Sequence, residues 1–231
     1  MAEIIVALDV NNKTEVEAVL KRLDTAISFY KIGLELFSAE GPDVVKLVKG
    51  FGKKVFLDLK LHDIPRTVER SVLAGGALGV DLMTIHSTGA KAMIQAAAQA
   101  AASFGASAPK ILAVTALTSL DQSDLADLGI VRTMSEQVEA MGRLACGNGA
   151  DGIVCSPKEV KRMREILGAS ALLVTPGVRP AGAAVGDQKR VATPAQAVAD
   201  GSTHLVIGRP ILEASDPKAA ALAILEEIKN G

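Results

Sequence analysis

The stretch FLDLKLHDIP, residues 56–65, is hydrophobic but contains two opposite charges, Asp58 and Lys60, that would be costly to bury. The stretch predicts a β-strand, in which successive side chains point to opposite faces. Its leucines then share one face, while Asp58 and Lys60 share the other with their Cα atoms about 6–7 Å apart. Taking charges out of water costs several kcal/mol per ion unless the geometry is very good. The pair is therefore interpreted either as a structural salt bridge or as part of a reactive site.

Two further charged residues favour the reactive site. Asp9 ends the first predicted strand, and Lys31 lies near the end of the second. A structural salt bridge would not need this second lysine and further aspartate. In such an array, each charge stabilises the ionised form of its neighbours. A lysine that stays protonated in a dry cleft can stabilise negative charge developing on carbon and then supply a proton.

Eight β-like runs, each followed by a segment of helical composition or periodicity, must position these residues. Eight such units in 231 residues, with no Pro/Ser-rich linker, predict an α/β fold with one (β/α)₈ TIM-barrel domain over residues 1–231. A doubly wound open sheet is the alternative. The runs are residues 3–9, 28–33, 54–60, 81–86, 110–117, 151–155, 171–175 and 203–208.

Polar residues collect at one rim of the predicted barrel, the rim formed by the C-terminal ends of the strands. Besides the charged array, His86 ends the fourth strand, Thr118 follows the fifth and a long polar loop follows the seventh. This rim and its loops carry the chemistry of such barrels. Because polar residues placed at random would lie at both ends of the strands, the clustering is the main functional signal.

The loop after the eighth strand is typical of an anion site. Gly208 lets the backbone come close to an anion, and Arg209 and Pro210 are expected to open a helix. A plain turn and helix start is the alternative.

The loop after the seventh strand is predicted to contact the same anion, because barrels often bind phosphate between these two loops. Arg179 and Gln188 are the candidate ligands. The Gly- and Ala-rich part of the loop, residues 181–188, is expected to be a mobile lid that folds over a ligand.

The composition excludes several classes of function. Lys and Arg number 25 against 26 Asp and Glu, and aromatic residues make up 3 %, which argues against a nucleic-acid-binding surface. No apolar run approaches the roughly 18–20 residues of a membrane span, and the N-terminus lacks the features of a secretory signal. Cys146 and Cys155 form neither a disulfide framework nor a zinc-spaced cluster. A soluble cytoplasmic protein is predicted.

The motifs FLDLKLHDIPRTV, TPGVRP, GDQKR and VIGRPI, preceded by ALD and YKIG, resemble those of the bacterial type of orotidine 5′-phosphate decarboxylase family. They occur in the family's order from the first strand to the eighth, so the resemblance covers essentially the whole chain. DLKLHDIP is highly specific, whereas the shorter D-x-K-x-x-D is shared by a wider superfamily of barrel lyases.

The resemblance implies an activity and roles for the charged array. The family converts orotidine 5′-phosphate to UMP and CO₂ in de novo pyrimidine biosynthesis, with neither a metal nor an organic cofactor. By resemblance, Lys60 donates a proton to C6 of the pyrimidine and Asp58 lies beside the departing carboxylate. Lys31 and Asp63 complete a Lys-Asp-Lys-Asp array.

The same resemblance implies the residues that bind the substrate. Asp9 and Lys31 hold ribose hydroxyls, Thr118 meets the pyrimidine, and Ile64 belongs to the same site. The 5′-phosphate is held by Arg179, Gln188, Gly208 and Arg209.

The resemblance also implies a homodimer, in which Asp63 and Thr67 of each subunit reach into the partner's site. Arg66 departs from the family, where a smaller polar residue such as Asn is expected. The departure leaves every mapped functional position intact.

Two other readings of the sequence stay open. A magnesium-dependent decarboxylase or aldolase acting on sugar phosphates shares D-x-K-x-x-D, but such relatives have a carboxylate for the metal at the position of Lys31. A lysine there would repel Mg²⁺. The second reading is a barrel that binds nucleotides without catalysis, against which Asp58, Lys60 and Asp63 all argue.

Overall fold

The computed structural model describes residues 2–180 and 192–230, whose eight strands close into a parallel barrel. Each strand pairs with its neighbours in chain order, and the first pairs with the last through Glu3 to Val6. The predicted (β/α)₈ barrel is therefore confirmed, and the open sheet is excluded. The strands are β1 Glu3–Ala7, β2 Phe29–Gly33, β3 Lys54–Leu61, β4 Leu82–His86, β5 Lys110–Val114, β6 Gly152–Val154, β7 Leu172–Pro176 and β8 His204–Ile207.

Helices follow the strands and cover the outside of the barrel. Local signals in the sequence start several of them: the Asn12 side chain accepts a hydrogen bond from the Glu15 N–H, and Thr133 forms a capping box with Glu136. Within the described ranges, no helix is long and apolar enough to cross a membrane. The helices are α1 Lys13–Leu23, α2 Leu34–Glu40, α3 Pro42–Gly50, α4 Pro65–Ala77, α5 Ala90–Ala102, α6 Gln122–Asp127, α7 Met134–Cys146, α8 Val160–Leu167, α9 Pro194–Ala199, α10 Arg209–Leu212 and α11 Pro217–Asn230.

The apolar core has two parts, because alternate strand residues point into the barrel or out towards the helices. The larger cluster lies between strands and helices and includes Leu57 of β3 and Met83 of β4. A second cluster fills the barrel interior and is formed by Ile5, Ala7, Phe29, Phe56, Leu82, Leu112, Val174 and Val206. Lys31 and Asp58, two positions further along β2 and β3 than Phe29 and Phe56, lie above this inner layer and belong to the wall of the site.

Strand β3 departs from the regular strand that the sequence predicts. Its pairing with β4 advances four residues on β3, from Leu57 to Leu61, while advancing two on β4, from Met83 to Ile85. Lys60 lies in this β-bulge with φ +52°, in the left-handed region. Leu59 and Leu61 still pack against the outer core, as predicted. The bulge alters the course of the backbone at the residues that carry the charges.

Candidate active site

An open pocket of about 610 Å³ lies at the C-terminal ends of the strands. Phe56, Val154 and Val206 give it an apolar floor, and Lys31, Asp58 and Lys60 form a charged wall. The other lining residues are Val114, Ala116, Leu117, Thr118, Cys155 and Pro176. The rim that the sequence singles out is therefore the rim that carries the pocket.

The carboxylate of Asp58 is the centre of the charged wall. The Lys60 ammonium donates a hydrogen bond to Oδ2 at 2.9 Å, and the Lys31 ammonium lies 4.0 Å from the same oxygen. The hydroxyl of Thr84 on β4 donates to Oδ1 at 2.9 Å. Asp58 is only 9 % exposed, so both of its oxygens have protein partners in a place with little water. These hydrogen bonds hold the carboxylate in one orientation.

Lys31 links this carboxylate to a second one. Its Nζ lies 3.4 Å from Oδ1 of Asp9, which is exposed two residues after the end of β1. Gly33 makes room for the lysine, because a Cβ at that position would be 2.9 Å from the ammonium. Charges thus alternate from Asp9 through Lys31 and Asp58 to Lys60, as the sequence predicts for these four residues.

Asp63 does not join this array within one chain. No ion pair within 4.0 Å connects it to either lysine in the described residues, and its Oδ1 accepts a hydrogen bond from the Ile64 N–H at 2.7 Å. Asp63, Ile64 and Thr67 all lie exposed at the start of α4, and Ile64 is 67 % exposed. The predicted dimer would use this exposed surface at the start of α4.

Two arginines gather at the opposite side of the rim. Arg179 follows β7, is buried and donates to the Val178 carbonyl at 2.9 Å, whereas Arg209 is exposed at the start of α10. Burial lowers the pKa of the Arg179 guanidinium, and the nearby charge of Arg209 lowers it further. An anion between the two guanidinium groups would relieve their mutual repulsion.

Gly208 precedes α10, and a Cβ there would lie 3.1 Å from Oδ2 of Asp9. The predicted helix start at Arg209 is confirmed. Gln188 and the predicted lid, residues 181–188, lie outside the described residues. Their predicted roles stay predictions.

Thr84 is not among the site residues predicted from the sequence, although a signal for it was present. Thr84 lies two residues before His86 on a predicted strand and therefore shares the face that points to the rim. A hydroxyl on that face, next to the strand of Asp58, is a candidate partner for the carboxylate. The packing of Gly33 against Lys31 could not be read from the sequence, because it depends on how the lysine side chain bends.

Comparison with known proteins shows the family of this chain. Residues 2–224 match the family model described as Orotidine 5′-phosphate decarboxylase / HUMPS family. The chain belongs to this family. A protein named orotidine 5′-phosphate decarboxylase from Rhodopseudomonas palustris (strain BisB5) is 51 % identical, and the match covers 97 % of this chain and 94 % of that one. One of the same name from Moorella thermoacetica is 50 % identical, over 98 % of this chain and 92 % of the relative.

Solved structures in the family have the same fold. The crystal structure of orotidine 5′-phosphate decarboxylase from Lactobacillus acidophilus superimposes with a TM-score of 0.89 at 42 % identity, covering 99 % of both chains. Membership of the family and the class of carboxy-lyase enzymes, predicted from the motifs, and the barrel fold, predicted from the eight strand-helix units, are thus confirmed.

Proposed function

We propose that this protein decarboxylates orotidine 5′-phosphate to UMP and CO₂ in pyrimidine biosynthesis, with neither a metal nor an organic cofactor. The observation that carries the proposal is the Lys60 ammonium, held 2.9 Å from Asp58 on the wall of the pocket. The names of relatives that share half of the sequence support the choice of substrate.

The reaction needs a cation at one place. When the bond from C6 to the carboxylate breaks, CO₂ leaves and the electron pair stays on C6, in the plane of the ring. That pair cannot spread into the carbonyl groups of the ring, so the site must stabilise it directly. The Lys60 ammonium does so and then transfers a proton to C6, and the resulting amine regains a proton from solvent.

The other charges of the array keep this ammonium in place. Asp58 holds Lys60 through a charge-assisted hydrogen bond and lies beside the substrate's carboxylate. Lys31 is proposed to act with Asp9 on the ribose hydroxyls, and the ion pair between them supports this. Asp63 completes the array from the partner subunit.

The remaining substrate contacts are proposed from position. Thr118 lines the pocket and is assigned to the pyrimidine, with Ile64 at the same site. The 5′-phosphate is assigned to Arg179, Arg209 and Gly208, and the family resemblance adds Gln188, which lies outside the described residues. Binding energy from this distant group can favour assembly of the charged site.

We further propose that residues 1–231 form one domain, that the protein is a cytoplasmic homodimer, and that Asp63 and Thr67 reach across its interface. The exposure of Asp63, Ile64 and Thr67 in the single chain supports the dimer.

One assay tests the proposed function. Orotidine 5′-phosphate is added to the purified protein in excess EDTA, and the loss of its ultraviolet absorbance is followed while UMP is identified as the product. We expect full turnover with EDTA. Activity that disappears with EDTA and returns with Mg²⁺ would instead favour the metal-dependent relatives that act on sugar phosphates.

Replacing Arg209 with alanine tests the phosphate site. We expect kcat/KM for orotidine 5′-phosphate to fall roughly 10²-fold, because a hydrogen bond to a charged group contributes about 1.5–3 kcal/mol. For orotidine, which has no phosphate, Arg209→Ala should turn over the substrate as fast as the parent protein does. Arg162→Ala, which removes an exposed arginine bonded to Glu139 on the outside of the barrel, is the control. An equal loss with both substrates would show that Arg209 does not act on the phosphate.

A further inference from the structure

The β-bulge in β3 faces one residue of the neighbouring strand. Thr84 is the residue of β4 between Met83 and Ile85, so it lies opposite the extra residues of β3. Extra residues in a bulge lose their ladder partners, and their backbone groups need other ones. The Lys60 N–H finds its partner in the side chain of Thr84, at 2.8 Å from Oγ1.

The same hydroxyl also binds the central carboxylate. Because a hydroxyl has a single proton, Oγ1 accepts from the Lys60 N–H and donates its own proton to Oδ1 of Asp58, at 2.9 Å. The other oxygen of Asp58 accepts from the Lys60 ammonium. A closed ring of three hydrogen bonds therefore runs from the backbone of Lys60 through Thr84 and Asp58 to the ammonium of Lys60.

This ring holds two conformations that would otherwise relax. A positive φ is unfavourable for a lysine, and the bond from its N–H to Thr84 opposes a return to extended backbone. The bond to Oδ1 fixes the rotation of the Asp58 carboxylate. Thr84 is fully buried, so water does not compete for either bond.

We propose that Thr84 is a positioning residue, whose hydroxyl aims Lys60 and Asp58 at the reacting carbon. Thr84 does not line the pocket in the described part of the chain. The inference rests on the proposed function, since it concerns the same two side chains.

Thr84→Val tests the proposal, because valine has the shape of threonine without the hydroxyl. We expect kcat to fall about 10²-fold, since a displacement of about 1 Å in reacting groups can have that effect. The Kd of UMP should change less than about threefold, because the phosphate and ribose contacts lie on other strands. If Thr84 had only a structural role, kcat would not fall while the Kd of UMP stayed nearly unchanged.

Two further variants separate the hydroxyl from its surroundings. Thr84→Ser keeps the hydroxyl and should retain kcat within about fivefold. Thr175→Val removes a hydroxyl that is equally buried, bonded to Ser202 on the other side of the barrel at 2.6 Å. We expect Thr175→Val to lower the thermal midpoint about as much as Thr84→Val while leaving kcat unchanged.

Normal kcat in Thr84→Val would overturn the proposal, and so would a loss in Thr84→Ser as large as that in Thr84→Val. If Thr84→Val does not fold, Thr84→Ala is compared with Thr84→Ser in the same way. If the parent protein does not decarboxylate the substrate at all, the proposed function fails, and crystal structures test the ring by itself. If the φ of Lys60 is no longer positive in Thr84→Val, the positioning role is supported. If the conformations of Lys60 and Asp58 are the same as in the parent protein, the positioning role is wrong.

Discussion

Replacing Lys60 with alanine should abolish turnover of orotidine 5′-phosphate while leaving UMP bound. The substitution removes both the cation that faces the developing charge and the proposed proton donor. General acid catalysis contributes about 10²–10⁴-fold and one preorganised electrostatic contact about 10²–10³-fold, so we expect a loss above about 10⁴-fold. UMP has no carboxylate at C6 and keeps its phosphate contacts, so its affinity should persist. Stopped assays with purified protein measure the rate, and calorimetry measures UMP binding.

Lys54→Ala is the matched control for this variant. Lys54 begins the same strand at the opposite end of the barrel, where its ammonium forms an ion pair with the half-buried Glu3 at 2.8 Å. Its removal should leave kcat unchanged. Parental turnover in Lys60→Ala would remove the proposed proton donor, and equal losses in both variants would point to damage to β3 as a whole.

Mixing two inactive variants should restore activity if the site is shared between subunits. Lys60→Ala lacks the cation, and Asp63→Ala lacks the carboxylate that is proposed to cross the interface. In a mixed dimer, one site combines an intact Lys60 with the partner's intact Asp63, and the other site lacks both. Random exchange of subunits therefore restores about a quarter of the parental activity, because half of the dimers are mixed and each has one complete site.

The experiment requires the two variants to be unfolded and refolded together, or produced in one cell, and each alone is the control. If mixed dimers are detected and activity does not recover, Asp63 acts in the site of its own subunit. If the parent protein sediments as a monomer and is fully active, the proposal of a site shared between subunits is wrong.

Much of the fold could be predicted because it follows from local patterns. Strands with buried faces alternate with helical segments eight times, and the observed strand ends differ from the predicted ones by at most three residues, as at β5. The array of Asp9, Lys31, Asp58 and Lys60 could be predicted because parallel strands bring their C-terminal ends to one rim.

What the sequence could not indicate depends on contacts between strands. The bulge in β3 arises from its register with β4, and no single-strand pattern records a register. The role of Thr84 follows from that register, and so does the direction of Lys60. The place of Asp63 in the array depends on a second chain, so the family resemblance implied it and a single chain leaves it exposed.

The two extra residues of β3 imply a conflict between robustness and activity. Deleting them would let β3 and β4 form an unbroken ladder and would remove a lysine from an unfavourable backbone conformation. The same deletion would disrupt the part of β3 that places Asp58 and Lys60 in the wall of the pocket. Selection for heat resistance alone would therefore favour a regular β3 in a more stable barrel without activity.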